Sequence, residues 1–256
     1  MIARTLIMQR GVLLPLASAL FAALLLCGCS DGSYAENGKT DQVADPATNQ
    51  AADSRAPLGA DTTIKILALG DSLMAGYGLD DLTRAFPARL EAELQAAGYD
   101  VDVMDAGISG DTSSGGRSRL DWSLAESPDA VIIELGANDG LRAVDPDVTY
   151  GNLNSILQQL ADRGTPVLLA GMMAPPNLGR EYGDRFVGVY QRLAEEYDVV
   201  FYPFFLDGVA GDPSLNQADR IHPNETGVNI IVERIKPFAV RLVERVRAAR
   251  TSDTAS

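Results

Sequence analysis

Residues 64–77, IKILALGDSLMAGY, decide the predicted fold of this chain. Residues 64–69 form a short, mostly apolar run rich in strand-forming residues, which is typical of a buried parallel strand. The run stops at Gly70, and Asp71 and Ser72 follow in a predicted tight turn. Open α/β sheets carry reactive groups in such turns, at the carboxyl ends of their strands, so Ser72 is a candidate nucleophile. The alternative is a plain turn in which Asp71 or Ser72 caps the next helix.

From residue 64 onward, short apolar runs alternate with amphipathic stretches, a pattern typical of βαβ units. Strands are predicted at 64–69, 101–105, 130–135, 166–172 and 199–202. Helices are predicted at 84–97, 111–124, 146–163, 184–197 and 225–248. Five such strands predict an α/β fold, a three-layer α/β/α sandwich around a parallel sheet. The flavodoxin-like strand order 2-1-3-4-5 suits a chain of this length.

Composition excludes several classes of protein. The chain has 256 residues and a formal net charge of −14, and such an acidic surface repels the phosphates of nucleic acid. His222 is the single histidine, which excludes an HExxH motif and any site built from several histidines. Neither GxxxxGK[ST] nor GxGxxG occurs, so nucleotide binding has no anchor. We therefore expect no metal, no cofactor and no nucleic-acid partner.

The first 28 residues are predicted to be an export signal. Arg4 and Arg10 precede an apolar run at 11–26 that is short for a membrane span. LCGC at 26–29 resembles the lipobox of bacterial lipoprotein signals, which implies cleavage before Cys29 and lipidation of that cysteine. An ordinary signal peptide or an uncleaved anchor is the alternative.

The resemblance to lipoproteins implies a periplasm-facing protein of the bacterial cell envelope, anchored through its N-terminal lipid. Ser30 directly after the cysteine favours the outer membrane. The polar stretch at 29–62 is predicted to be a flexible tether. The folded domain is expected at 63–250, with a disordered tail at 251–256.

Polar, chemically distinctive residues follow most of the predicted strands. Acyl transfer needs a serine with an adjacent base, and a histidine oriented by a carboxylate suits that task. Asp219 and His222 lie three residues apart on one loop and can meet directly. The candidate oxyanion donors are the backbone N–H groups of Ser72 and Gly110 and the side-chain amide of Asn138. Taken singly, each of these residues is also compatible with a turn or a solvated surface position; their joint placement at strand ends favours catalysis.

Four motifs carry a resemblance to a known family: GDSL at 70–73, SGDT at 109–112, GANDG at 136–140 and DRIHPN at 219–224. They occur in the order found in the SGNH/GDSL hydrolases, and the chain resembles that family's bacterial arylesterase, acyl-CoA thioesterase and lysophospholipase group over about residues 64–246. This group often has GGND where the chain has GAND. The resemblance implies that Ser72, Asp219 and His222 are catalytic and that Ser72, Gly110 and Asn138 form the oxyanion hole. It also implies that residues around 139–145 and 174–183 shape an acyl pocket, which gives Asp139, Gly140, Leu141, Pro175, Pro176 and Tyr182 as substrate-binding residues.

The expected function is therefore that of a serine hydrolase cleaving acyl esters through an acyl-enzyme on Ser72, with thioesters left open. Its partner is expected to be a small acyl-ester or lipid substrate, and the protein is expected to be a monomer. A carbohydrate O-acetyl esterase on the same scaffold is the first alternative, and a non-catalytic envelope lipoprotein is a less favoured one.

Overall fold

The computed structural model describes residues 62–254. The predicted signal at 1–28, its lipidation site Cys29 and the tether up to residue 61 lie outside the described residues. None of the helices within 62–254 combines the length and the apolar character needed to cross a membrane.

Five parallel strands form one sheet: β1 (Ile64–Gly70), β2 (Val101–Gly107), β3 (Ala130–Glu134), β4 (Val167–Ala170) and β5 (Val200–Tyr202). Their order is β2-β1-β3-β4-β5, with every neighbouring pair parallel, so the predicted fold class and strand order are confirmed. The central strands β1 and β3 are almost wholly buried, as their near-continuous apolar sequences require.

Seven α-helices cover the sheet in the described part of the chain: α1 (Phe86–Ala96), α2 (Ser113–Ser118), α3 (Leu120–Ser123), α4 (Ala137–Leu141), α5 (Pro146–Asp162), α6 (Arg180–Glu196) and α7 (Glu225–Thr254). Helix α1 packs against α7, whereas α5 packs against both α2 and α6. The connection from β1 to β2 runs in one direction along the sheet, and those from β2 through β3 and β4 to β5 run in the other. Because connections between parallel strands are right-handed, this change of direction places the two groups of helices on opposite faces of the sheet. The result is the predicted three-layer sandwich.

Several boundaries differ from the sequence-based expectation. The helix predicted at 111–124 divides into α2, α3 and a 3₁₀ turn at Leu124–Glu126, since the glycine-rich α2 is only a short helix. The prediction that the chain is disordered from residue 251 is wrong up to Thr254, because α7 continues to that residue. Arg250 in its last turns forms an ion pair with Asp129 at 2.8 Å and donates to the carbonyl of Thr62 at 3.0 Å, which ties the end of α7 to the start of the sheet.

Candidate active site

The turn after β1 places Ser72 at the carboxyl edge of the sheet. Gly70, the last residue of β1, is in register with Gly107 of β2 and Glu134 of β3, so three strands end at one level. Asp71 Oδ1 accepts a hydrogen bond from the backbone N–H of Leu73 at 3.0 Å and holds the turn closed. In the described structure the next helical segment begins only at residue 82, so neither Asp71 nor Ser72 caps it. Ser72 is 8% exposed, which leaves its hydroxyl at the floor of a cavity.

His222 joins Ser72 to Asp219. Its Nε2 lies 2.9 Å from Ser72 Oγ, and its Nδ1 lies 2.7 Å from Asp219 Oδ2. Asp219 Oδ1 also accepts the backbone N–H groups of Ile221 at 2.9 Å and His222 at 3.1 Å. Arg220 between them has φ 61°, a left-handed conformation that folds the loop tightly enough for carboxylate and imidazole to face each other. Two segments of the chain, the turn at Ser72 and the loop that carries Asp219 and His222, therefore form one hydrogen-bonded chain of side chains.

The loop carrying His222 is itself held in place by backbone pairing. Asn216 and Pro223 form an isolated antiparallel bridge, and the N–H of Gln217 donates to the carbonyl of His222 at 2.8 Å. On its outer side the imidazole contacts the ring of Tyr77, with ring centroids 4.6 Å apart. These contacts fix the position of the imidazole before any substrate arrives.

The charge of Asp219 sets the protonation pattern of this chain. The hydrogen bond with the His222 side chain, followed by that from the Ile221 N–H, lowers the pKa of Asp219 from 3.8 to about 2. The carboxylate is therefore ionised at neutral pH and can accept a hydrogen bond from the Nδ1–H group of the imidazole. Nε2 is then the unprotonated nitrogen, free to accept the hydroxyl proton of Ser72.

The three candidate oxyanion donors meet at the same cavity. Ser72, Gly110, Asn138 and His222 all line a cavity of about 200 Å³. Gly110 has φ 86° in a turn closed by the Asp111 N–H donating to the Ile108 carbonyl at 3.0 Å, a geometry that calls for glycine at this position.

Asn138 is oriented by a neighbouring carboxylate. Its Nδ2 donates to Asp71 Oδ2 at 2.9 Å, so the residue before the nucleophile holds the amide. An amide NH₂ has two hydrogens, and the second remains available to a substrate oxygen. The arrangement can therefore supply donors from three separate segments to one developing oxyanion.

A larger apolar groove continues from this cavity. Its volume is about 620 Å³, and it shares Ala137, Leu141, Leu206 and Ile221 with the smaller cavity. Two of the predicted substrate-binding residues, Pro175 and Pro176, line the groove, and Leu141 lines both spaces. A chain of methylene groups extending from the carbonyl next to Ser72 would find an apolar surface here.

The prediction that Asp139 binds substrate is contradicted by its surroundings. Its side chain is 1% exposed, and the carboxylate accepts the backbone N–H of Ser113 at 2.8 Å and the hydroxyl of Thr149 at 3.1 Å. Asn152 extends this network by donating to Ser113 Oγ at 3.0 Å. The hydrogen bonds that the Asp139 carboxylate accepts come from other parts of the protein, so this residue ties α4 to α2 and α5 and does not face a substrate.

Two further predicted pocket residues also lie outside both cavities. Gly140 is buried, and a methyl group at its Cα would lie 3.4 Å from the backbone of Ala174. The Tyr182 hydroxyl donates to the carbonyl of Val144 at 2.6 Å, and its ring stacks on Phe186. Neither residue lines the cavity or the groove. Gly140 packs against the loop at Ala174, and Tyr182 holds the loop at Val144.

Sequence reasoning missed several cavity residues. Tyr77 lines the smaller cavity, Phe204 lines the groove, and Leu206 and Ile221 line both. Phe204 and Leu206 follow β5, so the rule that pointed to the other strand ends would have found them. Tyr77 lies at the end of the opening stretch itself. Within residues 62–254, no group of three or more His, Cys, Asp or Glu side chains is arranged to hold a metal ion.

The model of the GDSL-like Lipase/Acylhydrolase family matches residues 68–230. Esterase TesA of Pseudomonas aeruginosa is 43% identical over 173 residues, covering 67% of this chain and 86% of the relative. An arylesterase of Vibrio mimicus is 42% identical, covering 69% and 88%, and thioesterase 1/protease 1/lysophospholipase L1 of Escherichia coli K12 is 41% identical, covering 66% and 79%. A crystal structure of TesA superposes with a TM-score of 0.67 at 42% identity, covering 70% of this chain and 99% of that one.

Proposed function

We propose that this chain, which belongs to the GDSL-like lipase/acylhydrolase family and is an esterase of the serine-hydrolase type, works through an acyl-enzyme on Ser72. The observation that carries the proposal is the hydrogen-bonded chain from Ser72 through His222 to Asp219, at 2.9 and 2.7 Å, beside Gly110 and Asn138.

In the first half-reaction, His222 Nε2 takes the proton of Ser72 as Oγ bonds to the substrate carbonyl carbon. The oxyanion of the tetrahedral intermediate accepts hydrogen bonds from the N–H groups of Ser72 and Gly110 and from Asn138 Nδ2. His222 then gives the proton to the departing alcohol, whose bond to the carbonyl carbon breaks and leaves the acyl group on Oγ. Asp219 stabilises the imidazolium throughout.

In the second half-reaction, water takes the place of the alcohol. His222 accepts a proton from the attacking water, the same donors hold the second oxyanion, and Ser72 leaves with the proton returned by His222. Positioned acid–base catalysis of this kind is worth about 10²–10⁴ in rate, and each oxyanion donor about 10²–10³.

The substrate we propose is an ester whose acyl chain is longer than acetyl. An acetyl group needs little room, whereas the apolar groove beside Ser72 has a volume of about 620 Å³. This groove favours the acyl-ester reading over a carbohydrate O-acetyl esterase. We include thioesters as a second substrate class, because a relative 41% identical to this chain is named as a thioesterase.

The nucleophile is tested by Ser72→Ala, with Ser155→Ala as the matched control on the exposed side of α5. We expect Ser72→Ala to lower kcat on an aryl ester by about 10³-fold or more and to abolish labelling by a fluorophosphonate. Ser155→Ala should behave as the parent enzyme in both assays. Near-normal turnover of Ser72→Ala would exclude the assignment, and a parent enzyme inert to ester and label alike would favour a non-catalytic binding module.

The groove is tested by Ala210→Trp, which places an indole among its lining residues. The matched control is Ala161→Trp, which borders a separate cavity at the opposite edge of the sheet, near the start of β4. Measured on a series from acetyl to long-chain esters and thioesters, Ala210→Trp should lower kcat/KM about tenfold on long chains and spare acetyl. An unchanged chain-length profile would place the acyl group elsewhere.

We also propose that the protein is anchored to the cell envelope through a lipid on Cys29, facing the periplasm. The support is the apolar run at 11–26 followed by LCGC at 26–29. Cys29→Ser should abolish incorporation of labelled fatty acid and move the protein from the membrane fraction to the soluble one. Fatty-acid labelling that persists in this variant would refute the anchor site.

A further inference from the structure

Glu134 is a carboxylic acid buried beneath the nucleophile turn. It is the last residue of β3, whose other residues, AVII, are apolar, and it is 0% exposed. It lies in register with Gly70 of β1, directly before Asp71 and Ser72. The mechanism described above gives this residue no role.

The Glu134 carboxyl has few partners for so deep a position. Oε2 accepts the backbone N–H of Asp71 at 3.4 Å, a long and therefore weak hydrogen bond. Oε1 has no hydrogen-bond partner among the described residues. A Cβ on Gly70 would lie 2.7 Å from Oε2, so the carboxyl occupies space that only a glycine leaves open at this position. A buried polar group with an unpaired oxygen costs folding free energy, which calls for a reason to keep it.

The charges beneath the turn are divided between two carboxyl groups. Burial, and after it the nearby Asp71, raises the pKa of Glu134 well above its usual value. Burial also raises the pKa of Asp71, but hydrogen bonds from Leu73 and Asn138 oppose that shift. Since two neighbouring buried carboxyls do not both ionise readily, Glu134 is the neutral acid and Asp71 carries the charge.

Asp71 connects this buried acid to the oxyanion hole. Glu134 contacts its backbone N–H, and Asn138, four residues further along, donates to its Oδ2 at 2.9 Å. The first and last residues of the segment 134–138 therefore both bind Asp71, one at its backbone N–H and the other at its carboxylate. A displacement of the turn would move Ser72 and the Asn138 amide together.

We propose that Glu134 is a positioning residue, which supports the turn at 70–72 from beneath and through Asp71 keeps the Ser72 hydroxyl and the Asn138 amide aimed at one carbonyl. The inference rests on the roles proposed above for Ser72 and Asn138. Because the supporting group is the uncharged acid, a neutral isostere can replace it.

The test compares Glu134→Gln, which keeps shape and polarity without charge, with Glu134→Leu, which removes the polar group. The control is Ile132→Val, which removes a methyl group from the same buried strand at the position paired with Ala68, two residues before Glu134. For each variant kcat, KM, the rate of Ser72 labelling by a fluorophosphonate and the thermal unfolding midpoint are measured on the full chain.

We expect Glu134→Gln to keep kcat within about threefold of the parent enzyme. Glu134→Leu should lower kcat and the labelling rate about 10- to 100-fold at nearly unchanged KM, the scale associated with a small displacement of catalytic groups. Ile132→Val should leave both rates unchanged even where it lowers the unfolding midpoint. If Glu134→Leu does not fold, Glu134→Asp, whose carboxyl is one methylene shorter, is expected to show the same loss of kcat.

Two results would overturn the inference while leaving the proposed function intact. The first is a kcat equal to that of the parent enzyme in folded Glu134→Leu or, if that variant does not fold, in Glu134→Asp. The second is a loss of kcat in Glu134→Gln as large as that in Glu134→Leu. A parent enzyme that neither turns over esters nor reacts with the fluorophosphonate would overturn the role of Ser72 and this inference together.

Discussion

Asn138→Ala removes one oxyanion donor and leaves the nucleophile and its base untouched. In the structure one hydrogen of Nδ2 is committed to Asp71 Oδ2 at 2.9 Å, and the other is free to bind the oxyanion. The backbone donors of Ser72 and Gly110 remain in the variant. Loss of one such donor lowers kcat by about 10²–10³, or about 2.7–4 kcal/mol on the barrier. KM should change far less, because the ground-state carbonyl oxygen carries less charge than the oxyanion.

The same substitution has a predictable effect on stability. It deprives the buried Asp71 carboxylate of a hydrogen bond, which costs about 1–3 kcal/mol of unfolding free energy. Urea unfolding measures this loss, and active-site titration with a fluorophosphonate counts the folded, reactive enzyme, so that kcat is referred to competent sites. The matched control is Asn229→Ala on α7, whose side-chain oxygen accepts from Arg89 at 2.9 Å on an exposed surface away from the cavity. We expect its kcat to equal that of the parent enzyme.

A folded Asn138→Ala enzyme whose kcat stays within about fivefold of the parent would refute the reasoning. It would mean that the second amide hydrogen does not reach the oxyanion, and that Asn138 serves only as a hydrogen-bond donor to Asp71.

Asp219→Asn should lower kcat by about 10²–10⁴, because the amide no longer selects the imidazole tautomer that accepts the Ser72 proton, and a turnover close to that of the parent would contradict this. Since the pKa of Asp219 is lowered from 3.8 to about 2, its contribution to stability is complete above about pH 4 and is lost as the pH falls through 2. The difference in unfolding free energy between the parent enzyme and Asp219→Asn, measured by denaturant unfolding, should therefore shrink over that pH range. Gly136→Ala should destabilise the protein by about 2–5 kcal/mol, because φ at this position is 114° and the new Cβ would lie 2.0 Å from Tyr190 Oη. Tyr190→Phe removes the hydroxyl together with its hydrogen bond to the Leu135 carbonyl at 2.9 Å, so the effect of Gly136→Ala is measured again in that background. It should be smaller there by the part due to the contact, and an equal effect in urea unfolding would show that the clash is not the cause.

The sequence alone was sufficient for the architecture, because burial on both faces of a parallel sheet requires near-continuous apolar strands, and these are visible in one dimension. The run ending at Gly70 and the fully apolar AVII of β3 show this directly. The same logic brought Ser72, Gly110 and Asn138 to one edge, since parallel strands end together. Asp219 and His222 were within reach because they lie three residues apart on one loop.

Only the tertiary structure decided which way individual side chains point. Asp139 follows Asn138 directly in sequence, yet in the short helix α4 one binds Asp71 beside the cavity and the other is buried against Ser113 and Thr149. A helical turn sends successive side chains in different directions, and a stretch predicted to be a loop gives no means of assigning them. Glu134 shows the same contrast. A glutamate in a sequence is usually a surface residue, and only the pairing of β3 with β1 buries this one as the neutral acid beneath the nucleophile turn. Burial depends on neighbours that are distant along the chain.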